Sequence, residues 1–189
     1  MRMWFLQLSI YACELTLDPN TAHRNLELSD SNRKVTLRTD EQPYPDRPER
    51  FDFRKQLLCT GGLSTAGRFY WEVEREGVVH VAVTYERIQR KGQFDDSCLG
   101  RNDQSWSLRC ADDGYSVRHN NKRTSIYVPS SSRVGVYLDW PAGTLSFYKV
   151  SSDKLTHLHT LNTKFTEPLF PAFRIKPGQL KASVSLCQV

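Results

Sequence analysis

Two histidines stand one residue apart in "HLH", His157 and His159. On an extended strand that spacing puts both imidazoles on one face, the start of a metal site. A metal centre needs a third and a fourth ligand, so this pair alone leads us to expect no metal. Asp95 and Asp96 are adjacent carboxylates, which an extended chain sends to opposite faces, poor geometry for a general acid and base pair. The sequence contains no G-x-S-x-G elbow, Walker-type glycine loop, H-E-x-x-H or paired C-x-x-C. The standard nucleophile, phosphate and zinc signatures are therefore missing, and neither an enzyme nor a cofactor is expected.

What remains is chemistry of recognition. The chain of 189 residues carries 26 Lys and Arg against 21 Asp and Glu, a formal net charge of +5. This mild excess favours weak attraction to acidic surfaces without naming a partner. Its densest basic runs, "RIQRKG" (87–92) and "RHNNKR" (118–123), contain no interleaved aromatic residue, so they read as solvated loops and no nucleic-acid partner is expected. Five cysteines, Cys13, Cys59, Cys98, Cys110 and Cys187, are an odd number at irregular spacings, and no Asn-x-Ser/Thr acceptor occurs. Both features point to a reducing, cytoplasmic setting.

Those groups must be positioned by strands. In "RFYWEVER" (68–75) Phe69, Trp71 and Val73 alternate with Tyr70, Glu72 and Glu74, the period of a half-buried strand. "VVHVAVTY" (78–85) follows a Glu-Gly pair, which predicts a hairpin. Further strands are read in "SWSLRC", "YSVRH", "TSIYV", "KLTHLHTL", "PLFPAFRI" and "KASVSL", between clusters of Asp, Asn, Gly, Pro and Ser. "RVGVYLDWPAGTLSFYKV" (133–150) is a second hairpin, with Val134, Val136, Leu138, Leu145 and Phe147 on one face, Pro141 and Gly143 at the corner and Trp140 capping its end. Many short strands without a convincing helix define a sandwich or barrel. Hydrophobic residues at 39% suit one core. The apolar start "MRMWFLQLSIYAC" is broken by Gln7 and Ser9 and is far short of a membrane span, so residues 1–13 read as an N-terminal extension, a docking segment or a boundary.

The ordered blocks "LTLDPNTAHRNLELSDSNRKVTL" (15–37), "RFYWEVE", "RVGVYLDWPAGTLSFY" and "PLFPAF" resemble a PRY segment followed by a SPRY domain. The wording is most similar to the tails of tripartite-motif ubiquitin ligases, NLR-type immune receptors and stonustoxin-like pore-forming proteins. The resemblance implies an all-β fold, a bent two-sheet antiparallel β-sandwich, with or without a short N-terminal helix, in which the PRY strands complete one sheet. It implies one PRY/SPRY domain over 14–189, with PRY at about 14–60 and SPRY at about 61–189. It further implies a non-catalytic module that recognises a protein or peptide ligand, monomeric by itself within a parent that can oligomerise. A ligase or receptor of innate immunity is the favoured parent. A targeting tail of a toxin-like protein and a butyrophilin-type sensor of phosphorylated small molecules are the alternatives.

Loops 38–50, 86–104 and 111–123 supply the candidate ligand-binding residues Tyr44, Arg47, Arg90, Phe94 and Tyr115. Family pockets, carried over position by position, add His80, Arg109, Ala111 and Phe165. Phe165 lies in a polar segment and is expected to be an exposed apolar floor, while Arg109 offers a fork for acidic epitopes. His80 and its neighbours fit a satisfied sheet histidine at least as well, and Trp71 and Trp106, within apolar strand patterns, are expected in the core, with half-exposure under the loops the alternative for Trp106.

Overall fold

The computed structural model describes residues 7–152, 154–178 and 181–189. Its strands are β1 (Leu26–Ser29), β2 (Lys34–Leu37), β3 (Gln56–Leu58), β4 (Arg68–Glu76), β5 (Val79–Tyr85), β6 (Ser105–Ala111) and β7 (Gly114–His119), then β8 (Lys122–Ile126), β9 (Arg133–Asp139), β10 (Thr144–Ser151), β11 (Lys154–Asn162), β12 (Leu169–Ile175) and β13 (Ser183–Cys187). They form a seven-stranded sheet in the order β1-β2-β13-β4-β9-β10-β11 and a six-stranded sheet in the order β3-β12-β5-β6-β7-β8. This is the expected two-sheet antiparallel β-sandwich. Between the sheets Trp71, Val73, Val136 and Phe147 of one meet Val81, Trp106, Leu108 and Phe173 of the other in a single buried cluster. Alternation along each strand puts these residues inward and leaves every second position to an outer face.

The hairpin of residues 133–151 forms as read, with Leu145 opposite Leu138 and Phe147 opposite Val136. Gly143 has φ +71°, and a Cβ there would stand 2.2 Å from the Thr163 carbonyl oxygen, so only glycine fits the corner. Trp140 closes the hairpin end by donating its indole N–H to the Glu167 carbonyl at 2.9 Å.

Three sequence expectations are corrected. β4 and β5 are not a hairpin: β4 pairs with β13 and β9, whereas β5 pairs with β12 and β6. The chain changes sheets at Gly77, which takes φ +73° and passes so close to Lys181 that a Cβ would lie 2.8 Å from its carbonyl oxygen. The PRY strands do not all complete one sheet, because β1 and β2 extend the seven-stranded sheet while β3 joins the other. The eighth strand begins at Lys122, not at Thr124: Asn120 and Asn121 both take positive φ, 50° and 61°, the two-residue turn that pairs His119 with Lys122.

A helical turn at residues 7–9 precedes the strands. Leu8 packs against Tyr70, Val150 and Leu155, with Tyr11, Tyr137 and Tyr148 around them, so the chain covers the outer face of its own seven-stranded sheet.

Candidate functional site

The outer face of the six-stranded sheet is built differently. Directly opposed residues in antiparallel strands share a face, and the register Arg174–His80–Arg109–Ser116 runs across β12, β5, β6 and β7. One pleat away runs Ala172–Ala82–Ser107–Arg118–Arg123. Small residues at one end of this second row let loops descend: Phe51, Ile88 and Leu99 bury Ala82 and Ala172 beneath an accessory cluster. The rest stays open. His80, Arg101, Ser107, Arg109, Ser116, Arg118, Arg123, Arg174 and Lys176 line a depression of about 120 Å³. That is room for about four waters, the size of a single anionic head group.

Six permanent cations therefore surround one imidazole, and none of the lining residues is acidic. Arg109 donates to Asp113 at 3.1 Å and Arg101 to Asp95 at 3.4 Å, both carboxylates being largely exposed at the rim. Arg174 donates to the buried Cys98 sulfur at 3.3 Å. Among the described residues the side chains of Arg118, Arg123, Lys176 and Ser116 have no hydrogen-bonding or ion-pair partner. Burial, then the charges of Arg174, Arg109, Lys176 and Arg118, hold His80 well below the ordinary imidazole range, so it is neutral at pH 7. Its Nδ1 lies 3.4 Å from the Ser107 hydroxyl.

The wall carrying Arg101 is a fixed loop. Asn102 donates to the carbonyls of Asp95, Asp96 and Cys98 and accepts from Gln104 N–H and Ser105 O–H. Gln56 ties the loop to β3 through Ser97 and Leu99. Beside it, Gly92 N–H donates to Asp52 at 2.8 Å and Arg54 donates to the Gln93 carbonyl. These bonds join two loops that expose Phe53 and Phe94, 49% and 72% accessible; the charge of Arg54, in the first loop, acts on Arg174.

Of the residues chosen from sequence, the structure brings His80 and Arg109 together in the depression and leaves Phe94 exposed, next in sequence to the Asp95 that pairs with Arg101. Arg47 is exposed on a separate loop, where its carbonyl accepts from Lys91 at 2.9 Å. Arg90 serves inside the fold, donating to the carbonyls of Ile88, Glu49 and Glu86. Tyr44 is half-buried, its hydroxyl on the Leu26 carbonyl and its ring under Arg50. Ala111 and Tyr115 are buried, the Tyr115 hydroxyl accepting from Ser131 N–H at 2.8 Å. Phe165 is not an exposed floor: it is 4% accessible, edge-on to Trp106 and tilted against Trp140. Trp106 is likewise buried, stacked on His119 at 4.6 Å.

His157 and His159 do not form a pair on one face. A bulge in β11 sets His159 opposite Phe147 and His157 opposite Tyr148, so the extra residue, Leu158, turns to the core. The five thiols are free, and burial pushes Cys13 up to about 11 and Cys110 up to about 12, as in unreactive structural cysteines. A larger cavity, about 730 Å³, opens between residues 12–16, the β1–β2 turn and the end of β13. Its charges are of mixed sign, and its Glu72 is already occupied by the Tyr70 hydroxyl and Arg133.

A sandwich with a cation-lined depression on a partly covered sheet face, flanked by fixed loops, has the build of a binding module. Family comparison agrees. The SPRY-associated PRY domain matches residues 15–63 and the SPRY domain matches residues 68–188, and the chain belongs to this PRY–SPRY family. It is 48% identical over 180 residues to stonustoxin subunit beta of Synanceia horrida, spanning 94% of this chain and 25% of that protein. It is 42% identical over 171 residues to tripartite motif-containing protein 16 of Mus musculus, spanning 89% of this chain and 30% of that protein. The solved stonustoxin structure superposes with a TM-score of 0.89 at 40% identity, over 97% of this chain and 30% of that one. The crystal structure of the TRIM65 PSpry domain does so with 0.88 at 27% identity, over 97% and 94%. The chain thus spans about a quarter to a third of the curated relatives named here. SPRY domains are interaction modules found in both tripartite-motif proteins and toxin subunits.

Proposed function

We propose that this chain is a non-catalytic reader that takes an acidic protein or peptide segment on the outer face of the six-stranded sheet. One observation carries the reading: six cations and two serine hydroxyls line a depression that contains no carboxylate of its own. Guanidinium forks at Arg109, Arg118 and Arg174 suit carboxylate or phosphoryl oxygens in bidentate geometry. Phe53 and Phe94 offer apolar contact to a flanking side chain. The parent best fitting this role is an innate-immune ubiquitin ligase or receptor in the cytoplasm, for which the domain selects a substrate or pathogen component. The identity to toxin subunits supports a second parent, a toxin-like protein whose tail uses the same face for targeting.

Fluorescence anisotropy tests the reading with a labelled peptide of four glutamates and one phenylalanine, beside its glutamine counterpart. The glutamate peptide should bind more tightly, lose affinity as salt rises, and weaken at least about tenfold on Arg118→Glu. Equal binding of both peptides, or an unaffected Arg118→Glu variant, would contradict it. Thermal stabilisation by inorganic phosphate without peptide binding would favour the small-molecule sensor instead.

A further inference from the structure

The cradle contains one group whose charge can change between pH 5 and 8. Arginine stays protonated throughout, and histidine is the side chain that ordinarily titrates in this range, leaving His80. The surroundings of His80 are one-sided on every element packed against it. Arg174 and Lys176 face it from β12 and its continuation, and Arg109 and Ser107 from β6. Ser116 and Arg118 face it from β7, Arg123 from β8 and Arg101 from the fixed loop. The carboxylates that pair with lining arginines, Asp113 and Asp95, are spent on Arg109 and Arg101. Among the described residues the imidazole has one weak hydrogen-bonding contact, to the Ser107 hydroxyl.

Resting on the reading above, we infer that ligand and proton enter this cradle together: an anionic group seated among Arg109, Arg118 and Arg174 draws a proton onto His80, so the site holds anions more tightly in mildly acidic than in neutral solution. Burial first and then the surrounding cations keep the imidazole neutral, and the incoming charge offsets the cations' share. Once protonated, both ring nitrogens donate, and His80 turns from a bystander into a further donor. By linkage the effect is reciprocal: whatever raises the proton affinity of His80 on anion binding raises anion affinity by the same factor as pH falls.

Isothermal titration of the whole chain with inorganic sulfate tests this, because sulfate keeps its charge between pH 5.5 and 7.5. Ionic strength is held constant with chloride, and buffers of two ionisation enthalpies count the protons taken up. Sulfate should bind about fourfold more tightly at pH 5.5 than at 7.5, with uptake of up to about one proton. In His80→Asn the affinity should be flat across this range. Sulfate binding that is flat with pH in the wild type, or pH dependence retained in His80→Asn, would overturn the inference while leaving the acidic-ligand reading intact. No saturable sulfate binding at either pH, with Arg118→Ala indistinguishable from wild type, would remove both. An NMR titration of the His80 ring in the wild-type chain gives a readout independent of the variant's folding. The ring should titrate at higher pH in sulfate than in chloride of equal ionic strength, and coincident curves would overturn the inference.

Discussion

The two sheets share one pleat and one core, yet their outer faces carry opposite chemistry. On the seven-stranded sheet Tyr70, Tyr137 and Tyr148 with Val150 and Leu155 form a surface that Leu8 and Tyr11 cover. Its charges are resolved internally: buried Glu72 accepts from the Tyr70 hydroxyl at 2.6 Å and from Arg133 at 2.7 Å. On the six-stranded sheet the equivalent positions are His80 and the mutually repelling Arg174, Arg109 and Arg118, which line an open depression among the described residues. A face destined to be covered by its own chain is filled and satisfied. A face that carries unpaired donors can be satisfied by a ligand, and the proposed reading assigns stability to the first face and recognition to the second.

The sharpest break in that contrast comes from Tyr70→Ala. Tyr70 is wholly buried on the covered face, so its truncation should cost about 3–5 kcal/mol in urea unfolding. A loss below about 1 kcal/mol would mean that the covered face is not a second core. Glu72→Gln comes next. It removes the charge that answers Arg133, whose side chain is 36% accessible, so solvent screening reduces the expected loss to about 2 kcal/mol.

On the open face, acidification should act where those substitutions do not. His80 resists protonation in the folded chain, and burial with the nearby Lys55 holds His23 down to about 4. The unfolded chain protonates both near 6.5, so it binds more protons over the acidic range. Stability should therefore be intact above pH 6.5 and fall as pH drops through 6.5 toward about 4, as followed by thermal melts. His80→Asn should shallow that slope, leaving the share due to His23. An unchanged slope would show that His80 is not held neutral.

The smallest expected effect belongs to Arg118→Ala and Arg123→Ala. Each removes an unpartnered cation, so unfolding free energy should move by no more than about 0.5 kcal/mol. A loss of 2 kcal/mol from either would make these side chains structural and end the contrast.

Much of the sandwich was legible because its strands obey local alternation. "RFYWEVE" and "RVGVYLD" show inward and outward positions without reference to anything distant. Sheet membership was not, since the Glu-Gly before β5 reads the same whether the chain folds back or crosses to the other sheet. The cradle was only half legible, because it assembles from five strands whose register no single segment contains. "RHNNKR" looked like a solvated loop until two asparagines with positive φ turned it into a hairpin that places Arg118 opposite Arg123. Arg174, at the end of an apolar block, gave no signal until His80 was set beside it. Phe165 misled for the reverse reason: its sequence neighbours are polar, but Trp106 of β6 and Trp140 of the β9–β10 turn close over it.

The most direct test of the open face is an amide and arginine side-chain NMR titration of the chain with the glutamate-rich peptide. The account predicts that shifts concentrate at His80, Arg109, Ser116, Arg118 and Arg174, with Tyr70 and Tyr137 unmoved. Shifts centred on the tyrosine face or on the cavity beside Cys187, with the cradle silent, would contradict it.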